Sequence, residues 1–296
     1  GAAIANAAVW PTLGGNRATA KGSFGGPRDQ FSWWLEIPEL NSIEKTVHGQ
    51  VRAHGTARGT YARPSIAGVV EAKKLAVPGI AFDAATLKAE GTLDAHEGDL
   101  KARNRDLDLS AKLKGGWSRG AWRGEIVSFE NAGERALVLQ APAPLEVGPG
   151  RVALGRFNAT LVGGRLALES VRWEEGRLSS TGAFAALPAQ SVLNFLGEKR
   201  VAGNLTLDGD WSILATPKLN GRLALRRAGG DLTLAGPPQV PLELSRATLD
   251  ARFTDDRVAA ALDIATRLAT LRAEGEAAGL TPDAAANWTA QVDLQE

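Results

Sequence analysis

The sequence contains no cysteine, no methionine and a single tyrosine among 296 residues. Without cysteine the chain forms no disulfide, offers no thiolate metal site and has no thiol redox role. Aromatic residues make up only 6%, so any core is built from small and branched side chains. Neither sign of charge dominates. The 34 basic and 33 acidic residues leave a net charge of +1, which gives nucleic acid no electrostatic footprint to bind. No apolar run approaches the roughly 18 residues of a membrane-spanning helix. The opening residues, GAAIANAAVW, lack the charged and apolar regions of a signal peptide. On this reading the chain is an internal segment, with targeting and anchoring elements outside it.

What is present is alternation. Hydrophobic residues reach 44%, enough for a sizeable core, and 34 glycines without a collagen period suit many short strands joined by tight turns. Through most of the chain apolar and polar residues alternate with period two, which puts one set on each face of a strand. In the first half the apolar positions include Val51, Val70, Leu107, Leu109, Leu137, Leu139, Leu166 and Leu168. In GNLTLDG they are Leu205 and Leu207, and in RLALR they are Leu223 and Leu225. Leu232, Leu234, Leu242, Leu244, Leu249, Phe253, Leu262 and Ile264 continue the pattern. Spacings of this kind predict on the order of 20 strands. Helix signals are few. PAQSVLNFLG, from Pro188 to Gly197, has an early proline, apolar residues at helical spacing and a closing glycine, and Asn41–Lys45 suggests a single turn.

The chain also repeats itself. Gly49 and Gly55 match Gly203 and Gly209 at an offset of 154, and Pro64 and Gly68 match Pro217 and Gly221 at 153. IAFDAATLKA, from Ile80, aligns with LELSRATLDA, from Leu242, at 162, and NRATAKGSF resembles GRLSSTGAF at 160. This predicts a first unit over 1–175 and a second, continuous with it, over 176–296. One short helix cannot cover twenty strands that are apolar on one face, and open sheets beyond about 10 strands curl, split or flatten. At about 4.8 Å between strands, twenty in series extend roughly 95 Å. The expected fold class is therefore all-β: a long antiparallel, curled sheet folded into a hydrophobic trough, with at most one or two short helices. An apolar lining left uncovered marks a binding site, and acyl chains are its natural filler. The twenty alternating residues named above are its expected lining.

The run from Trp117 to Pro188, WSRGAWRGEIVSFENAGERALVLQAPAPLEVGPGRVALGRFNATLVGGRLALESVRWEEGRLSSTGAFAALP, followed by RVAGNLTLDGDWSILATPKLNGRLALRRAGG, resembles the TamB family of AsmA-like envelope proteins. The likeness extends from about Asn16 to Glu296 and rests on the order of G-x-L-x-L-x-G and P-x-L-x-G motifs. It implies a periplasmic β-taco groove in a protein anchored in the inner membrane. It also implies transport of phospholipid towards the outer membrane, by binding acyl chains, without cofactor or catalysis. In some members it implies cooperation with a TamA-like Omp85 protein in assembling outer-membrane proteins, through regions outside this segment.

Motifs of other chemistries read as ordinary strand or turn. GWSRG, residues 116–120, has the form of a hydrolase nucleophile elbow, but the AWRGEIVSF after it reads as strand where that motif needs a helix. His48, His54 and His96 are the only histidines, and no carboxylate completes a metal set with them. Asp106 and Asp108 alternate with leucines as a solvated face does, and the glycines at 14–15 and 22–26 lack the G-K-[ST] of a phosphate loop. The eight tryptophans, Trp33–Trp34 and Trp117/Trp122 among them, suit either ordinary packing at strand ends or the rim of a lipid groove. A closed, dry, structural or adhesive β-solenoid is the competing reading, although solenoid repeats normally run about 20 to 50 residues.

Overall fold

The structure is a computed structural model that describes residues 4–9, 12, 13, 15–77, 79–195, 197, 200–234, 236, 239–278 and 286–294. Strand accounts for 73% and helix for 3%, which makes the fold all-β. The chain divides into two compact units, 1–138 with 144–146, and 139–143 with 147–296. The repeat boundary near residue 175 falls inside a hairpin of the second unit.

The first unit opens with β1 (Ile4–Val9), β2 (Thr12–Leu13), β3 (Asn16–Phe24) and β4 (Gln30–Ile37). It continues through β5 (His48–Thr60), β6 (Arg63–Val77), β7 (Ile80–Thr92), β8 (His96–Arg103), β9 (Asp108–Ser118) and β10 (Ala121–Asn131). From β3 to β10 each strand pairs antiparallel with the next in sequence, and β1 and β2 share the free edge of β3. β11 (Leu137–Leu139) and β12 (Ala143–Gly148) lie where the units divide.

The second unit contains β13 (Arg151–Leu154), β14 (Phe157–Leu161), β15 (Gly164–Glu174) and β16 (Arg177–Pro188), then α1 (Ala189–Phe195) and β17 (Val201–Gly203). β18 (Thr206–Thr216), β19 (Lys218–Gly229), β20 (Leu232–Leu234) and β21 (Val240–Pro241) follow. β22 (Arg246–Thr254), β23 (Arg257–Ala265), β24 (Ala269–Ala277) and β25 (Ala286–Leu294) complete it. Its main ladder runs β15, β16, β18, β19, β22, β23, β24, β25, with β13 and β14 both on the free edge of β15. β17, β20 and β21 leave that ladder to form a three-stranded sheet of their own.

The helix expected over Pro188–Gly197 is α1, and the turn near Asn41 is a 3-10 turn at Leu40–Ser42. Among the two-residue turns that close hairpins are those at Arg119–Gly120, Val162–Gly163, Glu175–Gly176 and Asp255–Asp256. Both central residues of each have positive φ, the geometry whose twist matches that of paired strands. The internal repeat has a structural counterpart: the β5–β6 hairpin corresponds to β18–β19, and β7, β8 and β9 correspond to β22, β23 and β24. The units differ before this hairpin, where β4 lies between β3 and β5 while β16 pairs directly with β18.

Candidate functional site

Directly opposed residues of an antiparallel pair lie on one face, so the registers trace rows of side chains across each sheet. In the first unit one row runs Ala18, Leu35, Ala53, Val70, Leu87, Leu100, Ala111, Phe129. The row beside it runs Ile37, Val51, Ala72, Ala85, Ala102, Leu109 and ends at Asn131. On the other side lies Ala20, Trp33, Gly55, Gly68, Ala89, Gly98, Leu113, Ile126. The second unit repeats the design. One row joins Leu168, Gly182, Trp211, Leu223, Ala251, Ala260, Gly275 and Trp288, and its neighbour joins Leu166, Phe184, Gly209, Leu225, Leu249, Leu262 and Ala273.

The reverse face is charged. Glu36, Arg52, Glu71, Thr86 and Lys101 form one of its rows in the first unit, and Asp208, Arg226, Thr248, Asp263 and Arg272 one in the second. Cross-strand ion pairs stitch it, among them Arg52–Glu36 at 2.9 Å, Arg222–Asp210 at 2.8 Å and Arg246–Asp263 at 3.0 Å. Exposed pairs of this kind contribute at most about 1 kcal/mol each. They act chiefly to keep this face in water. One of its clefts is a valley of alanine between charged ridges, where Ala224, Ala259 and Ala261 lie among Arg222, Arg252, Glu274 and Glu276.

The apolar face is not sealed by protein. Among the described residues no large side chain is fully buried, and most of the buried set are alanines. Leu87 remains 37% exposed and Ile66, on the same face, 50%. Among the described residues, the strand pairs in broad backbone contact are ladder neighbours, apart from two pairs separated by one strand, β3 with β5 and β16 with β19. The accessible surface totals 19101 Å² for 31.0 kDa. A compact monomer of this mass exposes about 12,000 Å², and two separate compact halves about 14,400 Å². However the units are placed, the excess belongs to surfaces within them.

One part of the second unit is closed. Ala189 of α1, Leu205 and Leu244 are each at most 6% exposed, with Leu207, Leu232, Leu242 and Ile264 packed around them. Asp231 ties this module together. Its carboxylate accepts the backbone N–H groups of Glu243 at 2.8 Å and Leu244 at 3.0 Å, and its own N–H is donated to Asn204 Oδ1 at 2.8 Å. Desolvation pushes its pKa up, but the backbone N–H groups of Leu244, Leu232 and Glu243, with the Arg227 charge, hold it net below the usual carboxylate value.

The expected lining residues are therefore not all alike. Val51, Val70, Leu109, Leu166, Leu168, Leu223, Leu225, Leu249, Phe253, Leu262 and Ile264 stand on the apolar face of the main ladders. Leu137 pairs with Asn131 and so joins that face, and Leu139 is half-buried where the units divide. Leu205, Leu207, Leu232, Leu242 and Leu244 belong to the closed module, where Ile264 meets them from the main ladder. Leu107 lies in a loop before β9, and Leu234 is exposed on β20.

Sequence reasoning did not assign the aromatics. Trp33 lies over Gly55 and Gly68, where added Cβ atoms would come 2.7 and 3.0 Å from its ring. Trp211 lies over Gly182, Phe184 over Gly209 and Trp122 over Gly115 in the same way. The signal is an aromatic opposite a glycine, which is invisible until the register is known. Ser118 closes β9 and its Oγ accepts from Arg123 Nη1 at 3.2 Å, with strand β10 beyond the turn. His96 Nε2 accepts from Trp122 Nε1 at 2.7 Å, His54 pairs with Trp34 on the charged face, and His48 opens β5. No group of three metal-ligating side chains occurs among the described residues. Asp108 pairs with Arg103, while Asp106 sits in the preceding turn. Gly14 lies outside the described residues. No helix among them is long and apolar enough to cross a membrane. No protein-family model, curated protein or solved structure matches this chain.

Proposed function

We propose that the chain is a segment of a periplasm-spanning lipid conduit that moves phospholipid from the inner to the outer membrane along its apolar face, as its resemblance to the TamB family implies. In this reading the full-length protein is anchored in the inner membrane, no cofactor is used and no reaction is catalysed. Contact with a TamA-like Omp85 protein, and any part in outer-membrane protein assembly, belongs to regions outside the segment.

The supporting observation is the uninterrupted apolar rows across eight strands of each unit, with no large side chain fully buried among the described residues. At about 0.8 kcal/mol per buried CH₂, a tail of roughly 16 carbons gains on the order of 10 kcal/mol by leaving water. Rows of Ala, Leu, Val and Gly offer no deep pocket that would hold it in one place. A closed solenoid would instead interlock its large side chains in a dry core.

Organic extraction and mass spectrometry of the purified, folded segment test the reading. Phospholipid in the extract is the expected result, and a clean extract would favour the closed structural role.

A further inference from the structure

The aromatic rings set on glycines carry a more specific assignment, which rests on the conduit reading. Trp33 and Trp34 are adjacent on β4 and so point to opposite faces. Trp33 opposes Gly55, itself opposed by Gly68, and its indole covers both glycines. Trp34 opposes His54 on the charged face. In the second unit Trp211 covers Gly182, while Phe184, its ring centroid 6.3 Å away, covers Gly209. Gly55 and Gly209 are equivalent in the repeat, so both units place a ring over the same glycine.

A ring laid on backbone is recessed by the missing Cβ, which keeps it from standing above its neighbours. The indole N–H of Trp211 is donated to Ser180 Oγ at 3.0 Å. Both rings are only half-buried. What this part of the surface presents is therefore ring face and aliphatic side chain, with the surrounding backbone already paired in the ladder. A peptide partner would bury polar backbone against it without hydrogen bonds, a cost that a hydrocarbon chain avoids.

We propose that Trp33 and Trp211 are acyl-chain contact points, where a lipid tail lies across the face of a ring set on glycine. The test places the photocrosslinker p-benzoylphenylalanine at position 33, 34 or 211 of the segment expressed in cells. Phospholipid adducts are expected at 33 and 211, at least tenfold above those at 34. As a second measurement that keeps the aromatic ring, Trp33→Phe and Trp211→Phe should each lower the fraction of emission quenched by phospholipid with dibrominated acyl chains, while Trp34→Phe should not. Phospholipid in the extract with no adduct at 33 or 211 and unchanged quenching would overturn this assignment and leave the conduit standing. An extract free of phospholipid would remove both. A crosslink between two copies, seen as doubled mass, would assign the face to self-association instead.

Discussion

Val162 holds φ at 48° in the turn between β14 and β15, beside Gly163 at 87°. A β-branched side chain is strained there, where asparagine or glycine is the usual occupant. Val162→Asn should stabilise the protein by about 0.5–1 kcal/mol, read as a higher urea midpoint with an unchanged slope. A lower midpoint would mean that the Val162 side chain makes contacts worth more than the strain. Gly55 shows the opposite constraint. A Cβ there would collide with the Ala67 carbonyl oxygen as well as with the Trp33 ring. Here the side chain is excluded by backbone and by the indole together.

At the scale of elements, α1 and the three short strands form a module fixed by one carboxylate. Asp231→Asn keeps an acceptor but loses the charge that receives two backbone N–H groups, and should cost about 1–2 kcal/mol. The folded pKa of Asp231 is depressed below its unfolded value. Its contribution is therefore present above that unfolded value, near 3.8, and is lost as pH falls through the lower folded value. Urea titrations at successive pH values should show a step below pH 4 in the wild type that is smaller in Asp231→Asn. Equal steps in both would place the acid sensitivity elsewhere. Much of this level was legible in the sequence. Period-two alternation marked most main-ladder strands, and Pro188–Gly197 marked α1 to within two residues at each end. What alternation cannot carry is partnership. Leu232 and Leu234 look like any other strand, yet they pair with Val201–Gly203, a choice made by long-range register. Bulges also hid the face in the first half. Gly49 and Lys74 break the period where β5 meets β6, so the polar–apolar pattern resumes on the other phase beyond them. Alanine and glycine in the apolar rows, such as Ala53 and Gly68, gave too little contrast to show which face was which.

Across the whole molecule, near-neutral net charge conceals a separation: rows of ionised groups run along one face of each unit's sheet and rows of hydrocarbon along the other, interrupted at positions such as Asn131 and Arg227. A row of hydrocarbon is most sensitive to a single charge placed on it. Leu249 lies between Leu225 and Leu262, and Leu223 between Trp211 and Ala251. Both are half-buried, so a charged replacement can still reach water and the strands can persist. A lipid tail crossing the row, however, must desolvate that charge, at a cost of several kcal/mol. Leu223→Asp or Leu249→Arg in the full-length protein should therefore reduce lipid delivery at least tenfold in cells, with the β-sheet circular dichroism of the segment unchanged. Arg252→Asp provides the matched control, since Arg252 opposes Arg222 and Ala259 on the charged face of the same strand, β22. That variant should transport normally. Normal delivery by the Leu249→Arg protein would mean that no acyl chain travels over this row.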